Sequence, residues 1–281
     1  MSALEQAYLH CDALLRQFDH DRWLACLFLP LPARAHIHAL YAFSLEIARI
    51  RESIREPLNG EIRLQYWRDV LEGAGRGEVQ AHPVAHALLD TIDKFHLPVM
   101  ALRNLIDART FDLYDDPMPN RNDLEGYCGE TCSVLFQLGS LILGGEAPAL
   151  ADAAGHAGVA YALAGLMLAL PVHLQRGQCY LPVTMMQQRG LSHEALMNRP
   201  DEDRLRLVLA DLCALAQSHL DKSLAAQKSL PAIQRGAFLP LSLVPLHLKA
   251  VLKNKHPALQ VSSVAQWRKQ WALWRGARLI A

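Results

Sequence analysis

At 281 residues the chain is long enough for one large domain or two small ones, and no Pro/Gly/Ser-rich linker divides it. Its 28 basic and 28 acidic residues cancel, so the overall charge suggests no nucleic-acid partner. A hydrophobic content of 51% is ample for a large core, and no repeat or low-complexity tract interrupts it.

Almost everything between the proline and glycine punctuation reads as helix. Apolar stripes with a 3.6-residue period run through 2–18, 20–28, 33–55, 60–74, 83–95, 98–114, 121–143, 148–174, 192–198, 202–229 and 238–253. The alternation of strands is nearly absent. Breaks are expected at Pro30-x-Pro32, Pro57 to Gly60, Gly73 to Gly77, Pro117 to Pro119 and Gly144-Gly145. At the end, Trp267, Trp271, Trp274 and Arg278 fall on one stripe of a helix, with Arg268, Lys269 and Arg275 beside them. Tryptophan suits boundaries that are apolar on one side and wet on the other. The stripe is therefore expected to dock on the protein's own body, with peripheral membrane contact as the alternative.

Targeting signals are absent from this reading. Glu5, Asp12, Asp19 and Asp21 come early, with no apolar core before them, so neither a secretory signal nor an acid-poor transit peptide is expected. The longest apolar run, Ala157 to Val172, falls short of the ~20 residues of a spanning helix. The expected location is cytoplasmic, extended to the inner face of the membrane if the tail binds lipid. Six scattered cysteines suit a reducing compartment. Cys128 and Cys132 lie one helical turn apart and are read as packed core thiols. His82 and His86 have metal-ligand spacing, but Pro83 marks a helix start there. No metal site is expected from either pair.

Two segments carry more information. Tyr41-Ala42-Phe43-Ser44-Leu45-Glu46-Ile47-Ala48-Arg49-Ile50-Arg51-Glu52 resembles the first signature helix of the squalene/phytoene synthase family. There a Tyr-Ala-Phe opening leads into an Arg and then Asp-Asp-x-x-Asp. In this chain those positions hold Leu45, Ala48, Arg49 and Glu52. Gly177-Gln178-Cys179-Tyr180-Leu181-Pro182 is similar to the family's Gly-Arg-x-Tyr-Leu-Pro. Counting back from Tyr180, the Asn, Arg and two Asp of the preceding family helix fall on Gly165, Leu168, Ala169 and His173. Asp123-Leu124-Glu125-Gly126-Tyr127-Cys128 matches the family's Leu-x-x-Tyr-Cys segment. Leu45-Glu46, Ile50-Arg51-Glu52-Ser53, Gln65-Tyr66-Trp67-Arg68 and Ala169-x-Pro171-x-His173 resemble the divergent branch containing the mitochondrial complex I assembly factor.

The resemblance spans nearly the whole chain and implies a single all-α domain over 1–281, an isoprenoid-synthase-type helical bundle around a central cavity, with a Trp-rich basic tail at 264–281. Family chemistry ionises an allylic diphosphate, so Mg²⁺ on carboxylates must neutralise the leaving group. With those acids replaced, the resemblance implies a non-catalytic protein with no cofactor. It would act in respiratory complex I assembly, alongside complex I subunits or other assembly factors, or bind an isoprenoid or other lipid. The alternative is an active prenyl-diphosphate transferase that uses Mg²⁺ through Asp107, Asp112, Asp115 and Asp116, acids otherwise read as a solvated helix end. The expected pocket lining is Tyr41, Leu45, Ala48, Arg49, Glu52, Leu168, Ala169, His173 and Tyr180, with no catalytic residue and a cavity more apolar than in the family's enzymes, its few polar groups being Tyr41, Arg49, Glu52, His173 and Tyr180.

Overall fold

The computed structural model describes residues 1–73, 81–198 and 200–280, and no strand occurs among them. The chain is all-α. In order, the helices are α1 (Ala3–Phe18), α2 (His20–Cys26), α3 (Leu31–Arg49), α4 (Pro57–Leu71), α5 (Pro83–Phe95), α6 (Val99–Arg109), α7 (Arg121–Cys128) and α8 (Val134–Gly144). They continue as α9 (Leu150–Leu168), α10 (Leu170–Gln175), α11 (Val183–Gln188), α12 (His193–Asn198), α13 (Glu202–Gln227), α14 (Ala232–Arg235), α15 (Val244–Lys253) and α16 (Gln266–Ile280).

Local chemistry sets most of the boundaries. Ser2 and Glu5 form a reciprocal capping box at the start of α1. Asn120 and Asp201 accept backbone N–H groups at the starts of α7 and α13. Pro57 and Pro83 open helices rather than break them, because the first turn has no use for the missing N–H. The expected break from Gly73 to Gly77 lies outside the described residues beyond Gly73.

Four expected helices depart from a continuous α-helix. The 33–55 and 98–114 segments end in 3₁₀ turns, Ile50–Ser53 and Thr110–Leu113. The 121–143 segment carries a π turn at Gly129–Ser133, where Thr131 Oγ1 donates to the Tyr127 carbonyl at 2.6 Å. The 148–174 segment divides at Ala169, because Pro171 cannot donate to the preceding turn. α11 was not foreseen; six residues are too few to show a period.

α3 and α9 are the most buried long helices together with α13, which packs along α9. Arg22 reaches into the space between the first two. Its guanidinium lies 5.0 Å from the Tyr41 ring and 5.1 Å from the Tyr161 ring, and pairs with Asp19 at 3.1 Å. α9 also presses against the π turn. A Cβ on Gly158 would stand 2.1 Å from the Ser133 backbone nitrogen, whereas one on Gly155 would meet open space. Gly158→Ala is therefore expected to lower stability by about 1–3 kcal/mol through overpacking, despite the ~1 kcal/mol gain in helix propensity. Gly155→Ala should be neutral or stabilising in the same thermal melts. Equal behaviour of the two variants would contradict this packing.

All six cysteines are free and buried, and burial pushes the Cys11 and Cys213 thiols up to about 12 and Cys179 to about 11. Among the described residues one continuous stretch, Ala232–Lys253, is long and apolar enough by length and composition to cross a membrane, which was not expected from the sequence; over half of its most apolar window is buried.

The C-terminal helix corrects the expectation for the tryptophan stripe. α16 docks through the opposite face: Leu273 is fully buried against Ala25, Leu239 and Leu243, and a Cβ on Gly276 would collide with Ser242. Lys269 Nζ holds Asp21 Oδ2 at 2.7 Å. Trp267 and Trp271 are 67% and 56% exposed, and Trp271 stacks on the exposed Trp274 with ring centres 4.9 Å apart. Small residues allow the close approach, so the bulky rings are left on the outside.

Candidate functional site

The end of α3, the turns after α3 and α6, α10 and the Gln178–Tyr180 segment converge on a pocket of about 390 Å³. Leu45, Ala48, Arg49, Arg51 and Glu52 come from α3 and its 3₁₀ extension. Arg109 and Asp112 come from the end of α6 and its turn, and Tyr127 from α7. Leu166, His173, Arg176, Gln178 and Tyr180 close the far side, and Phe18 of α1 closes the near one.

Asp112 is the hub. Its Oδ1 accepts from the hydroxyls of Tyr127 and Tyr180, each at 2.7 Å, and its Oδ2 from Arg109 Nη1 at 2.9 Å. Gln178 Nε2 donates to the Asp112 carbonyl at 3.0 Å. Arg109 Nη1 also donates to the Tyr127 oxygen at 2.7 Å. Burial works against the Arg109 charge, but Tyr127 and Asp112 more than offset it, so its pKa is raised. Burial, reinforced by Asp112, raises both tyrosines, which stay protonated and can donate.

The pocket's second carboxylate is at its mouth. Glu52 accepts from Arg49 Nε at 3.2 Å and from Arg176 Nη1 at 3.1 Å, joining α3 to α10. Arg51 pairs with Asp115 at 3.1 Å. Four guanidinium groups thus face three carboxylates, leaving net positive charge. His173 stays neutral, its pKa held down to about 4 by burial and then by Arg176 and Arg109, against the pull of Asp112 and Glu52. Its ring meets Tyr180 edge-on at 4.9 Å.

Of the residues expected from the sequence, Leu45, Ala48, Arg49, Glu52, His173 and Tyr180 line this pocket. Tyr41 is buried elsewhere, against Arg22. Leu168 and Ala169 do not line it; Leu166 stands there instead, because α9 ends at Leu168 and a count through one unbroken helix loses register at Ala169. The lining holds more polar groups than the sequence pointed to, since Arg51, Arg109, Asp112, Arg176 and Gln178 also face the cavity. Asp112 is buried rather than a solvated helix end, whereas Asp107 and Asp115 are exposed ion-pair partners of Arg68 and Arg51. The overlooked cluster had one signal, the Tyr127-Cys128 pair in its family-like segment. An adjoining cavity of about 570 Å³ shares Leu45, Arg49 and Glu52, so the Arg49–Glu52 pair borders both.

Mg²⁺ would have to be held by carboxylate oxygens. Both carboxylates inside the pocket are already engaged by guanidinium groups or tyrosine hydroxyls. Seating a dication would break those pairs and leave arginine beside it, so the residues present do not fit the ion. Among the described residues, no group of three or more His, Cys, Asp or Glu side chains is arranged to hold a metal.

A family model described as squalene/phytoene synthase matches residues 15–275. The chain belongs to that family. It is 29% identical over 277 residues to "NADH dehydrogenase (ubiquinone) complex I, assembly factor 6" of Mus musculus, covering 94% of this chain and 83% of the relative. It is 25% identical over 263 residues to the 15-cis-phytoene synthase of Synechocystis, covering 89% and 77%. A dehydrosqualene synthase crystal structure superposes with a TM-score of 0.84 at 19% identity, covering 99% of this chain and 97% of that one. The chain's relatives therefore include both a protein named 15-cis-phytoene synthase and proteins named for complex I assembly.

Proposed function

We propose that this chain is a non-catalytic member of the family that acts in the assembly of respiratory complex I and uses its pocket to hold an anionic group without metal. The observation that carries the reading is the state of the pocket carboxylates. Glu52 and Asp112 are committed to Arg49, Arg176, Arg109, Tyr127 and Tyr180, and Arg49 stands where the resemblance implies an aspartate. Ionising an allylic diphosphate needs charge neutralisation that moves with the leaving group. Arginines tied into ion pairs bind an anion but lack the dication's charge density. The names of the relatives support the assembly role, and the partners would be complex I subunits or other assembly factors.

Purified protein with Mg²⁺ and farnesyl or geranylgeranyl diphosphate is expected to give no product above a denatured control. Deleting the gene is expected to lower fully assembled complex I on native gels while leaving terpenoid products unchanged. Product formation that disappears with chelator, or a deletion strain that loses a terpenoid and keeps its complex I, would restore the transferase reading.

A further inference from the structure

We propose that the face formed by α15, the 254–265 segment and α16 docks on an anionic lipid bilayer, an attachment that goes beyond the assembly role and does not depend on it. Three observations converge there. The first is charge. Asp221 is the last acidic residue of the chain, and ten lysines and arginines follow it, so a sequence neutral as a whole is strongly polarised. Lys249, Lys253, Arg268 and Arg275 are exposed, and no ion pair engages them among the described residues. Lys269 is the exception, tied to Asp21.

The second is shape. Lys249, Lys253 and Arg268 line one groove of about 300 Å³ between α15 and the 260–268 segment, together with Asn254 and Ser262. Three cations and no acid around a small polar hollow match a phosphate headgroup. The third is the apolar rim. Leu252, Leu259 and Val261 are each more than half exposed, and so are Trp267 and Trp271. Arg268 joins the two parts, lining the groove while its guanidinium sits 5.6 Å from the Trp267 ring. Arg278 stands 4.7 Å from the Trp274 ring.

Alternating indole rings and guanidinium groups fit the depth profile of a membrane interface, with rings at headgroup level and cations at the phosphates. The contact is one of lying on the surface, since α16 is held to the body by Leu273 and its Trp stripe points the other way. An acidic protein would satisfy the charges alone. The exposed rings beside them favour lipid.

The test is flotation of the full chain with vesicles of phosphatidylcholine, with and without phosphatidylglycerol. Strong binding to the anionic vesicles only is expected, with a blue shift of tryptophan emission and weakening in high salt. Trp267→Ala with Trp271→Ala, and separately Lys253→Glu with Arg268→Glu, should each lower partitioning by more than about tenfold. These side chains are exposed, so both double variants should melt like the parent. Equal binding to neutral and anionic vesicles, binding to neither, or undiminished binding of both double variants would overturn the proposal. No outcome involves complex I, so its failure is separable from failure of the assembly role.

Discussion

Asp112→Ala is expected to be the most damaging single substitution in the pocket, lowering stability by about 3–5 kcal/mol. Removing one partner of a buried ion pair leaves the other charge without its counterion, and that uncompensated charge sets the cost. Here Arg109 would keep its charge with Asp112 gone and with its Nε already unpartnered, while Tyr127 and Tyr180 would lose their shared acceptor. For a domain of this size such a loss moves Tm by roughly 10 °C. Asp112→Asn retains an acceptor oxygen and should fall between parent and alanine. Asp107→Ala, which removes an exposed partner of Arg68 on the same stretch, should cost less than about 1 kcal/mol. Similar small losses for Asp107 and Asp112 would mean that Asp112 does not hold the pocket together.

Acidification should weaken the fold steeply below pH 6.5. His38, His173 and His247 are each held down to about 4, in every case first by burial. The folded-state pKa is depressed, so between about 6.5 and 4 the unfolded chain binds protons that the native chain refuses. Stability from these groups is complete above 6.5 and is lost as pH falls through that window. Glu46 acts in the opposite sense: burial raises it to about 7, so its contribution is lost as pH rises toward 7. Three histidines outweigh one glutamate, each group contributing at most about 1.4 kcal/mol per pH unit, so a net slope of about 2 kcal/mol per unit is expected near pH 5. Thermal melts from pH 7 to 4.5 at constant ionic strength would measure it. A flat or rising Tm on acidification would show that the histidines are not held neutral.

Helix content, the all-α architecture and the family were legible because they rest on long-range periodicity and two spaced motifs. Interruptions within helices were not. The π turn at Gly129–Ser133 and the break at Ala169 arise from packing against other helices and from one proline, and neither disturbs the apolar stripe. The site was half legible. Leu45, Ala48, Arg49 and Glu52 lie on one helix end, so their spacing placed them together. Arg109, Asp112 and Arg176 meet only through the tertiary fold, so their convergence could not be read from local pattern. Judging the pocket by what its motif positions lack made it look apolar, although neighbouring arginines supply the charge. The tryptophan stripe misled for a related reason: a helix can dock through one leucine flanked by small residues and leave its large rings outside.

The six buried cysteines carry a consequence for how this fold's breathing can be watched. They are distributed over α1, α2, α7, the π turn, the Gln178–Tyr180 segment and α13, and thiols buried in a packed interior are inert to alkylating reagents. Each becomes reactive only when its own neighbourhood opens. The native chain therefore carries its own set of timekeepers, one per region. The order in which they react with a thiol reagent would rank the regions by the free energy of local opening, without a single engineered label.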